Sequence, residues 1–422
     1  MEVRSSRQAE VGIIPADWRL SNLSEISAFI TKGSTPTTYG FKWVSSGVLF
    51  LRSECVAEAG LDLSQSMFIS EAAHASLQRS AVRVGDLLVT ITGYVGRVVI
   101  FRGPDHANIN QHIARVRINS SLVCSRFVYH YLSLPQVRSR FNTITTGQAY
   151  PQISLKQVRG TEIPLPPTRA EQEAIAEPLS DADALIESLE QLLAKKRQLK
   201  QGAMLKLLGG KKRLPGFRGR WGVKRLEELT VIRSGGTPST RRAQFWDGGI
   251  PWCTPTDITA LKGQKYLLAT ERTISRLGLE SSSAEIIPSG SVVMTSRATI
   301  GECAINRIPV ATNQGFKNLV PRESVDVELL YYLLLTQKQG FVRLCGGSTF
   351  LEIGKAQLAA FEVRIPLAKD EQTAIATILS DMDAEIAALE ARHDKTRDLK
   401  QAMMQELLTG KTRLVSVGVT NA

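Results

Sequence analysis

The stretch EQEAIAEPLSDADALIESLEQLLAKKRQLKQGAMLKLLGGKKRL, residues 171–214, decides the fold because the chain repeats it 200 residues later. Residues 371–414 read EQTAIATILSDMDAEIAALEARHDKTRDLKQAMMQELLTGKTRL, and 25 of the 44 aligned positions are identical without a gap. Self-similarity at so long a period indicates a duplicated domain rather than a stack of short repeats. We therefore predict two related globular units, each followed by the same helix.

Both copies of the repeat have the apolar spacing of a long helix. Apolar side chains recur in steps of three and four, and basic residues interrupt the series at 195–197 and 393–397. So narrow an apolar seam is typical of a coiled coil. The seam residues are Ile175, Leu179, Ile186, Leu189, Leu193 and Leu199 in the first copy and Ile375, Leu379, Ile386, Leu389 and Leu399 in the second. We expect the two helices to pair antiparallel within the chain, with pseudo-twofold symmetry. The alternatives are that each helix lies on its own domain or pairs with another chain.

The residues before each helix also correspond. TKGSTPTT (31–38) matches RSGGTPST (233–240), and GDLLVTITGYVGRVVIF (85–101) predicts two strands joined by a turn, as does GSVVMTSRATIGECAI (290–305). An Asn-Gln pair (110–111 and 313–314) and a helix-like stretch follow in both halves. The predicted fold class is α/β (α+β). The predicted limits are a first globular domain at 1–168, a helix at 169–210, a second globular domain at 211–368, a helix at 369–414 and a tail at 415–422.

The composition favours a polyanionic partner. The chain has 422 residues, a net charge of +12 and a pI near 9.5, with 43% apolar and 22% charged residues. These values fit a globular protein that binds nucleic acid, although a basic protein without such a partner has the same composition. The five cysteines form no CxxC pair, and the sequence has neither a signal peptide nor a long apolar run. We therefore expect a cytoplasmic protein that neither spans a membrane nor carries a metal site or disulfide framework.

The motifs of common catalytic sites are missing from the sequence. The string GKT at Gly410 has Gln405 where a phosphate-binding loop needs its first glycine. The sequence has no G-x-S-x-G elbow and no pair of histidines at metal-ligand spacing. We therefore expect no catalytic residue, metal or cofactor on this chain.

Loops of both halves carry side chains suited to nucleic acid instead. Arg, Asn and Gln can read base edges, whereas Lys, Ser and Thr hold phosphates. Singly these residues are typical of any protein surface, and their occurrence in equivalent loops of both halves favours DNA binding. The candidates of the first half are Lys32, Ser34, Thr35, Thr37, Tyr39, Arg52, Tyr94, Arg97, Gln111, Thr146, Gln148 and Tyr150. The candidates of the second half are Arg233, Ser234, Thr237, Ser239, Arg241, Arg242, Trp246, Arg297, Gln314, Lys317, Ser348 and Thr349.

The two EQxAIA…LKQxxM helices, the TKGSTP- and RSGGTP-type turns and the paired Asn-Gln motifs resemble a specificity subunit of a type I restriction-modification system. The resemblance covers nearly the whole chain, and the helices are its specific part. It implies two target-recognition domains that each read one half of a bipartite, asymmetric site in double-stranded DNA. It also implies that the paired helices hold these domains apart and set the length of the unread spacer. GGSTF (346–350) lacks the Gln and Tyr of TGQAYPQI (146–153), so the two half-sites should differ.

The same resemblance implies the partners. Two modification subunits would dock on the helices and bring S-adenosylmethionine to methylate adenine. In systems that also cut DNA, two restriction subunits would bring ATP and Mg, so no cofactor would bind this chain. A specificity subunit of a type IIB enzyme is an alternative that only the partner subunits distinguish. A non-enzymatic, homodimeric DNA-binding architectural protein is another, which a stable dimer without partners would favour.

Overall fold

The computed structural model describes residues 6–9, 12–58, 60–104, 106–147, 150–345 and 351–414. The chain divides into two compact units: the first comprises Met1–Glu190 and Arg392–Ala422, and the second comprises Gln191–Ala391. Each unit therefore contains one globular half and parts of both repeat helices. The long helices begin at Arg169 and Lys369, whereas the predicted tail at 415–422 lies outside the described residues. The predicted domain limits stay a prediction.

The first unit is built from short strands and helices. Its strands are β1 (Ser6–Ala9), β2 (Gly12–Pro15), β3 (Arg19–Asn22), β4 (Ser27–Lys32), β5 (Val48–Leu51), β6 (Val56–Ala57), β7 (Gly60–Leu61), β8 (Met67–Ile69), β9 (Ala81–Val82), β10 (Leu87–Thr90), β11 (Val98–Ile100), β12 (Ala107–Ile109), β13 (Ile113–Ile118) and β14 (Glu162–Leu165). Its helices are α1 (Glu71–Ser76), α2 (Ser125–Leu132), α3 (Pro135–Thr143), α4 (Leu155–Arg159) and the first part of α5 (Arg169–Leu207).

Two four-stranded sheets form the middle of the first unit. One is antiparallel, in the order β11-β10-β13-β4, and the other has the order β8-β5-β12-β9 with β5 and β12 parallel. Strand β10 is buried on both faces: Leu87 and Val89 pack toward α2 and the long helices, whereas Leu88 packs toward the second sheet. This double burial explains the unbroken apolar run of that strand. The predicted strand-turn-strand at 85–101 is confirmed by the antiparallel pairing of β10 with β11.

The second unit has the corresponding elements. Its strands are β15 (Trp221–Arg225), β16 (Thr230–Ser234), β17 (Trp246–Cys253), β18 (Tyr266–Leu267), β19 (Arg272–Ile274), β20 (Val292–Thr295), β21 (Cys303–Asn306), β22 (Ala311–Thr312), β23 (Phe316–Pro321) and β24 (Glu362–Pro366). Its helices are α6 (Leu226–Leu229), α7 (Pro255–Ala260), α8 (Arg276–Glu280), α9 (Val327–Thr336), α10 (Lys338–Leu344), α11 (Lys355–Ala359) and the first part of α12 (Lys369–Leu407). Its sheets have the orders β16-β23-β20-β21-β18 and β19-β17-β22. The run β16-β23-β20-β21 corresponds to β4-β13-β10-β11 of the first unit, and β18 extends it by one parallel strand. The predicted mixed α/β (α+β) class is confirmed.

The long helices pair antiparallel inside each unit. In the first unit Asp183 of α5 binds Lys400 of α12, and Glu190 Oε1 lies 3.2 Å from His393 Nε2. In the second unit Lys200 binds Asp383. These two residues are equivalent to Lys400 and Asp183 in the repeat. Residue numbers of the contacting partners increase along α5 while they decrease along α12, so the helices run antiparallel as predicted. Exposed ion pairs are each worth about 0–1 kcal/mol, so the buried apolar seam supplies most of the stability.

The predicted seam residues differ in how deeply they are buried. Side chains at Ile175, Leu179, Leu189, Leu193, Ile375 and Leu379 are buried, and those at Ile186, Ile386 and Leu389 are partly buried. Leu199 and Leu399, however, are 50% and 58% exposed. Beyond the interrupting basic residues, the buried apolar series resumes at Met404, Leu407 and Leu408.

The end of each repeat folds back onto the beginning of the other helix. In the first unit Arg413 makes a bidentate contact with Glu171: Nε contacts Oε1, and Nη2 donates a 2.8 Å hydrogen bond to Oε2. Its Nη1 also lies 3.1 Å from both carboxylate oxygens of Asp17. In the second unit Arg213 makes the same bidentate contact with Glu371, at 2.6 and 2.8 Å. Glu171 and Glu371 are buried. We name these two ion pairs the latches.

A buried histidine lies where α2 meets the long helices of the first unit. His130 is fully buried, with Nε2 3.0 Å from Ser180 Oγ and Nδ1 3.8 Å from Asp183. Burial, assisted by the charge of Lys400, lowers its pKa to about 3. In the second unit Tyr332 takes this place, bonded to Ser380 and Asp383.

Acid should therefore destabilise the first unit through His130. Its pKa is lower in the folded state than the 6.5 of the free side chain, so the unfolded chain binds an extra proton below pH 6.5. The contribution of neutral His130 to the free energy of unfolding is fully present above pH 6.5. It falls by about 1.4 kcal/mol per pH unit as the pH drops toward 3. We expect the urea midpoint to drop less between pH 7.5 and 5.5 in His130→Gln than in the unaltered chain. Equal drops in both proteins would contradict this origin.

Candidate nucleic-acid interface

Four predicted loops meet in the first unit. Thr35 Oγ1 donates a 2.5 Å hydrogen bond to Gln111 Oε1, which joins the TKGSTP turn to the Asn-Gln pair. The backbone N–H of Ile91 donates to the carbonyl of His112, and that of Gly93 donates to the carbonyl of Pro151, both at 2.9 Å. We call residues 31–38, 91–97, 110–112 and 145–153 the first loop cluster, in which 148 and 149 lie outside the described residues.

Glycine makes the junction of the first loop cluster possible. A Cβ at Gly33 would lie 1.8 Å from the carbonyl oxygen of Ile109. No side chain fits at that distance, so only glycine lets the turn approach the strand end before the Asn-Gln pair. At the equivalent Gly235, a Cβ would lie 2.0 Å from the carbonyl oxygen of Asn313. The glycines of TKGSTP and RSGGTP therefore serve close packing of two loops.

Two tyrosines lie on the exposed surface of the first loop cluster. Tyr94 and Tyr150 are 65% and 59% exposed. The Arg97 guanidinium lies 4.0 Å from the centroid of the Tyr94 ring, and the His112 ring meets Tyr150 edge-on at 6.2 Å. Exposed rings of this kind can stack on bases, and stacked arginine adds positive charge.

The second unit repeats the junction with different side chains. The hydroxyl of Thr237 donates to Gln314 Oε1, the backbone N–H of Ser296 donates to the carbonyl of Gly315 at 2.7 Å, and that of Ile353 donates to Ser296 at 3.0 Å. We call residues 233–240, 296–302, 313–315 and 351–353 the second loop cluster. The pattern of contacts matches the first loop cluster, although few of the side chains are shared.

An ion-pair network replaces the aromatic surface in the second loop cluster. Arg297 Nε lies 2.9 Å from Glu352 Oε2, and Lys317 Nζ lies 3.5 Å from Glu352 Oε1. Partial burial tends to raise the pKa of Glu352, but the Arg297 hydrogen bond and the two positive charges outweigh it, so the pKa is lowered. The carboxylate therefore stays ionised and holds both cations.

The structure places the predicted DNA-binding residues in four groups, one of which is the buried Lys317 alone. Those exposed on or beside the loop clusters are Lys32, Thr37, Tyr39, Tyr94, Thr146, Tyr150, Thr237, Ser239, Arg241, Arg242, Arg297 and Gln314. Those partly buried are Ser34, Thr35, Arg52, Arg97, Gln111, Arg233, Ser234 and Trp246. Gln148, Ser348 and Thr349 lie outside the described residues.

Three of the predicted residues fit an internal role better. The Lys317 side chain is 7% exposed and its ammonium is neutralised by Glu352, so it does not fit the prediction of a DNA contact. Arg52 donates from Nε to the carbonyl of Gln65, 3.2 Å away. Trp246 packs edge-on against Trp252 at 5.0 Å and donates from Nε1 to the carbonyl of Ser239, so it supports the RSGGTP turn.

Sequence reasoning missed two members of the loop clusters. His112 directly follows the Asn-Gln pair, and its position beside Tyr150 depends on a chain reversal between them. Glu352 lies 200 residues after Gln152, and that spacing was the available signal for an equivalent site.

Within the described ranges, no group of three His, Cys, Asp or Glu side chains is arranged to hold a metal ion. In the same ranges, helices are too short or too polar to cross a bilayer.

Comparison with known proteins assigns this architecture to a family. Residues 15–197 and 219–396 each match the type I restriction modification DNA specificity domain. The chain belongs to this family. The resemblance seen in the sequence is confirmed, and the chain is a specificity subunit, the non-catalytic DNA-recognition component of a type I restriction-modification system.

Individual relatives agree with this membership. The type I restriction enzyme MjaIX specificity subunit of Methanocaldococcus jannaschii is 39% identical over 165 residues, which span 39% of this chain and 38% of that protein. The putative MjaX specificity subunit of the same organism is 24% identical over 97% of this chain and 96% of its own length. The S subunit of a type I system from M. genitalium shares the fold, with a TM-score of 0.62 at 15% identity over 92% of this chain and 96% of that one.

Proposed function

We propose that this specificity subunit reads a bipartite, asymmetric site in double-stranded DNA, with one loop cluster on each half-site. The duplicated loop junction, joined by the Thr35–Gln111 and Thr237–Gln314 hydrogen bonds, is the observation that carries the proposal. Because the same backbone scaffold presents aromatic side chains in one unit and ion pairs in the other, the two clusters suit different base sequences. The net charge of +12 adds attraction to phosphates that is independent of sequence.

The long helices serve, in this proposal, as docking surfaces for two modification subunits that carry S-adenosylmethionine. Leu199 and Leu399 support it, because these leucines are about half exposed and sit at equivalent positions of the repeat. The adenine would be flipped out of the duplex and methylated by those partners. Two restriction subunits, where present, would add ATP and Mg.

A map of methylated adenines tests the proposal. The chain would be expressed with its modification subunit in a methylation-free host, and the DNA sequenced for modified bases. We expect a split motif modified once on each strand across a fixed gap. An unmodified genome despite a co-purifying complex would overturn DNA recognition by this chain, and a stable dimer of the chain alone would favour the architectural alternative.

The spacer length should follow the length of the paired helices. Four residues inserted between Glu190 and Gln191 and four between Ala391 and Arg392 interrupt no contact within either unit, since these are the unit limits. The insertion adds about one turn, roughly 6 Å, to each helix, which corresponds to about two base pairs. We expect the methylated motif to gain about two unread base pairs while both half-sites stay the same. Altered half-site sequences would contradict a ruler function, and insertion into α5 alone is the control for mispaired helices.

A further inference from the structure

We propose that Arg297 reads a guanine in the half-site of the second unit and that Glu352 is the positioning residue that presents its guanidinium. The inference rests on the proposed function and adds the base class and the side chains. Arg297 lies on the turn between β20 and β21, with its side chain 45% exposed. Glu352 lies opposite it, in an isolated antiparallel bridge.

The ion pair leaves the useful edge of the guanidinium available. Glu352 binds at Nε of Arg297, 2.9 Å away. The closest contact of this ion pair is therefore at Nε rather than at either Nη group of Arg297. Those two groups are the fork that donates to O6 and N7 of guanine in the major groove. A side chain fixed at Nε also loses less conformational entropy when it binds.

The Glu352 carboxylate is itself paired with the buried side chain of Lys317. Lys317 occupies β23 with its side chain 7% exposed, and its ammonium faces Glu352 Oε1 at 3.5 Å. A buried cation beside a carboxylate stabilises the ionised form and limits its motion. The three side chains therefore form a relay in which the innermost charge orients the middle one, and the middle one orients the exposed guanidinium.

The carboxylate also selects base edges over phosphates. A partly exposed carboxylate next to the guanidinium repels a phosphate, whose full negative charge lies nearby in any backbone contact. The neutral acceptors of a guanine edge carry no such penalty. A cation meant for the DNA backbone would be better without Glu352, so the pair favours base reading.

The first unit cannot read a base in the same way. Thr90 and Thr295 each donate from the hydroxyl to the carbonyl four residues later, which aligns the two turns. With this alignment Thr92 stands in place of Arg297, and the bridge partner Gln152 stands in place of Glu352. The guanine contact therefore belongs to one half-site only.

The experiment compares methylation motifs of single variants expressed with the modification subunit. Arg297→Lys keeps the positive charge but loses the fork, and Arg297→Gln loses both. We expect both variants to methylate sites with other bases at one position of the second half-site, with discrimination for guanine falling about 10- to 100-fold. Glu352→Gln should relax the same position by a smaller factor, and Glu352→Asp should restore part of the discrimination. The first half-site should stay intact in all four.

Arg276→Lys is the matched control, because Arg276 also pairs with a glutamate but does so within α8, outside the loop cluster. An unchanged motif in Arg297→Lys, or an even loss of methylation at every site in Arg297→Gln with the motif kept, would overturn the guanine contact and indicate a phosphate contact. Loss of all methylation would be checked by co-purification and thermal unfolding, and a folded complex without a relaxed base would also overturn it. Failure of the unaltered chain to produce a split motif would instead overturn the proposed function.

Discussion

Replacing Arg413 by glutamine is expected to destabilise the first unit by about 3–5 kcal/mol, because it leaves Glu171 buried without its charged partner. Glu171 is 3% exposed and its carboxylate is bound by Arg413 through both Nε and Nη2. Arg413 also binds Asp17, so the substitution releases the end of the repeat from the N-terminal segment as well. An exposed ion pair would cost at most about 1 kcal/mol, so the large value depends on burial.

Hydrogen exchange measured by mass spectrometry locates the effect. Amides of β13 in the first unit should exchange faster in Arg413→Gln, whereas amides of β23 in the second unit should keep their protection. Arg213→Gln is the matched variant, and it should act on β23 instead, since Arg213 binds the buried Glu371. A double variant with Glu171→Gln should recover most of the loss, because two amides can bond without a buried charge. Unchanged protection of β13 in Arg413→Gln would show that the latch adds no stability.

The architecture was predictable where the sequence carries a periodic signal. The duplicated stretch at 171–214 and 371–414 predicts two equivalent long helices, and they run from Arg169 to Leu207 and from Lys369 to Leu407. The apolar run around Leu87 likewise predicts a buried strand. Local patterns of this kind depend on which side chains are buried, and burial repeats with the period of the element.

Contacts between distant residues were less accessible. Arg413 was visible as part of the repeated GKxRL string, but its partner Glu171 lies 242 residues earlier, and no local pattern links the two. Lys317 was assigned to DNA because lysine commonly holds phosphate, and only the fold reveals that its ammonium faces Glu352. Leu199 continued the apolar series in sequence, yet the helical phase places it at the surface.

Replacing Gly33 by alanine is expected to reduce methylation of the whole bipartite site by about 100-fold. The added Cβ would lie 1.8 Å from the carbonyl oxygen of Ile109, so the TKGSTP turn must move by more than 1 Å. Such a shift separates Thr35 from Gln111 and misplaces the first loop cluster on DNA. Displacements of about 1 Å at a positioning group commonly cost about 100-fold in rate. Gly235→Ala should have an effect of the same size through the second loop cluster, where the Cβ would lie 2.0 Å from the carbonyl oxygen of Asn313.

Both variants also separate loop placement from folding. Both glycines are buried, but they lie at loop junctions rather than inside a strand or helix, so thermal unfolding and co-purification with the modification subunit should change less than methylation does. Gly160→Ala is the control, because a Cβ there has its nearest neighbour, the Lys156 carbonyl oxygen, at an ordinary 3.4 Å. Wild-type methylation by both Gly33→Ala and Gly235→Ala would mean that DNA is read elsewhere on the two units. Loss in one variant alone would mean that only that unit's loop cluster needs its junction closed, and the two half-sites would then be recognised by unlike surfaces.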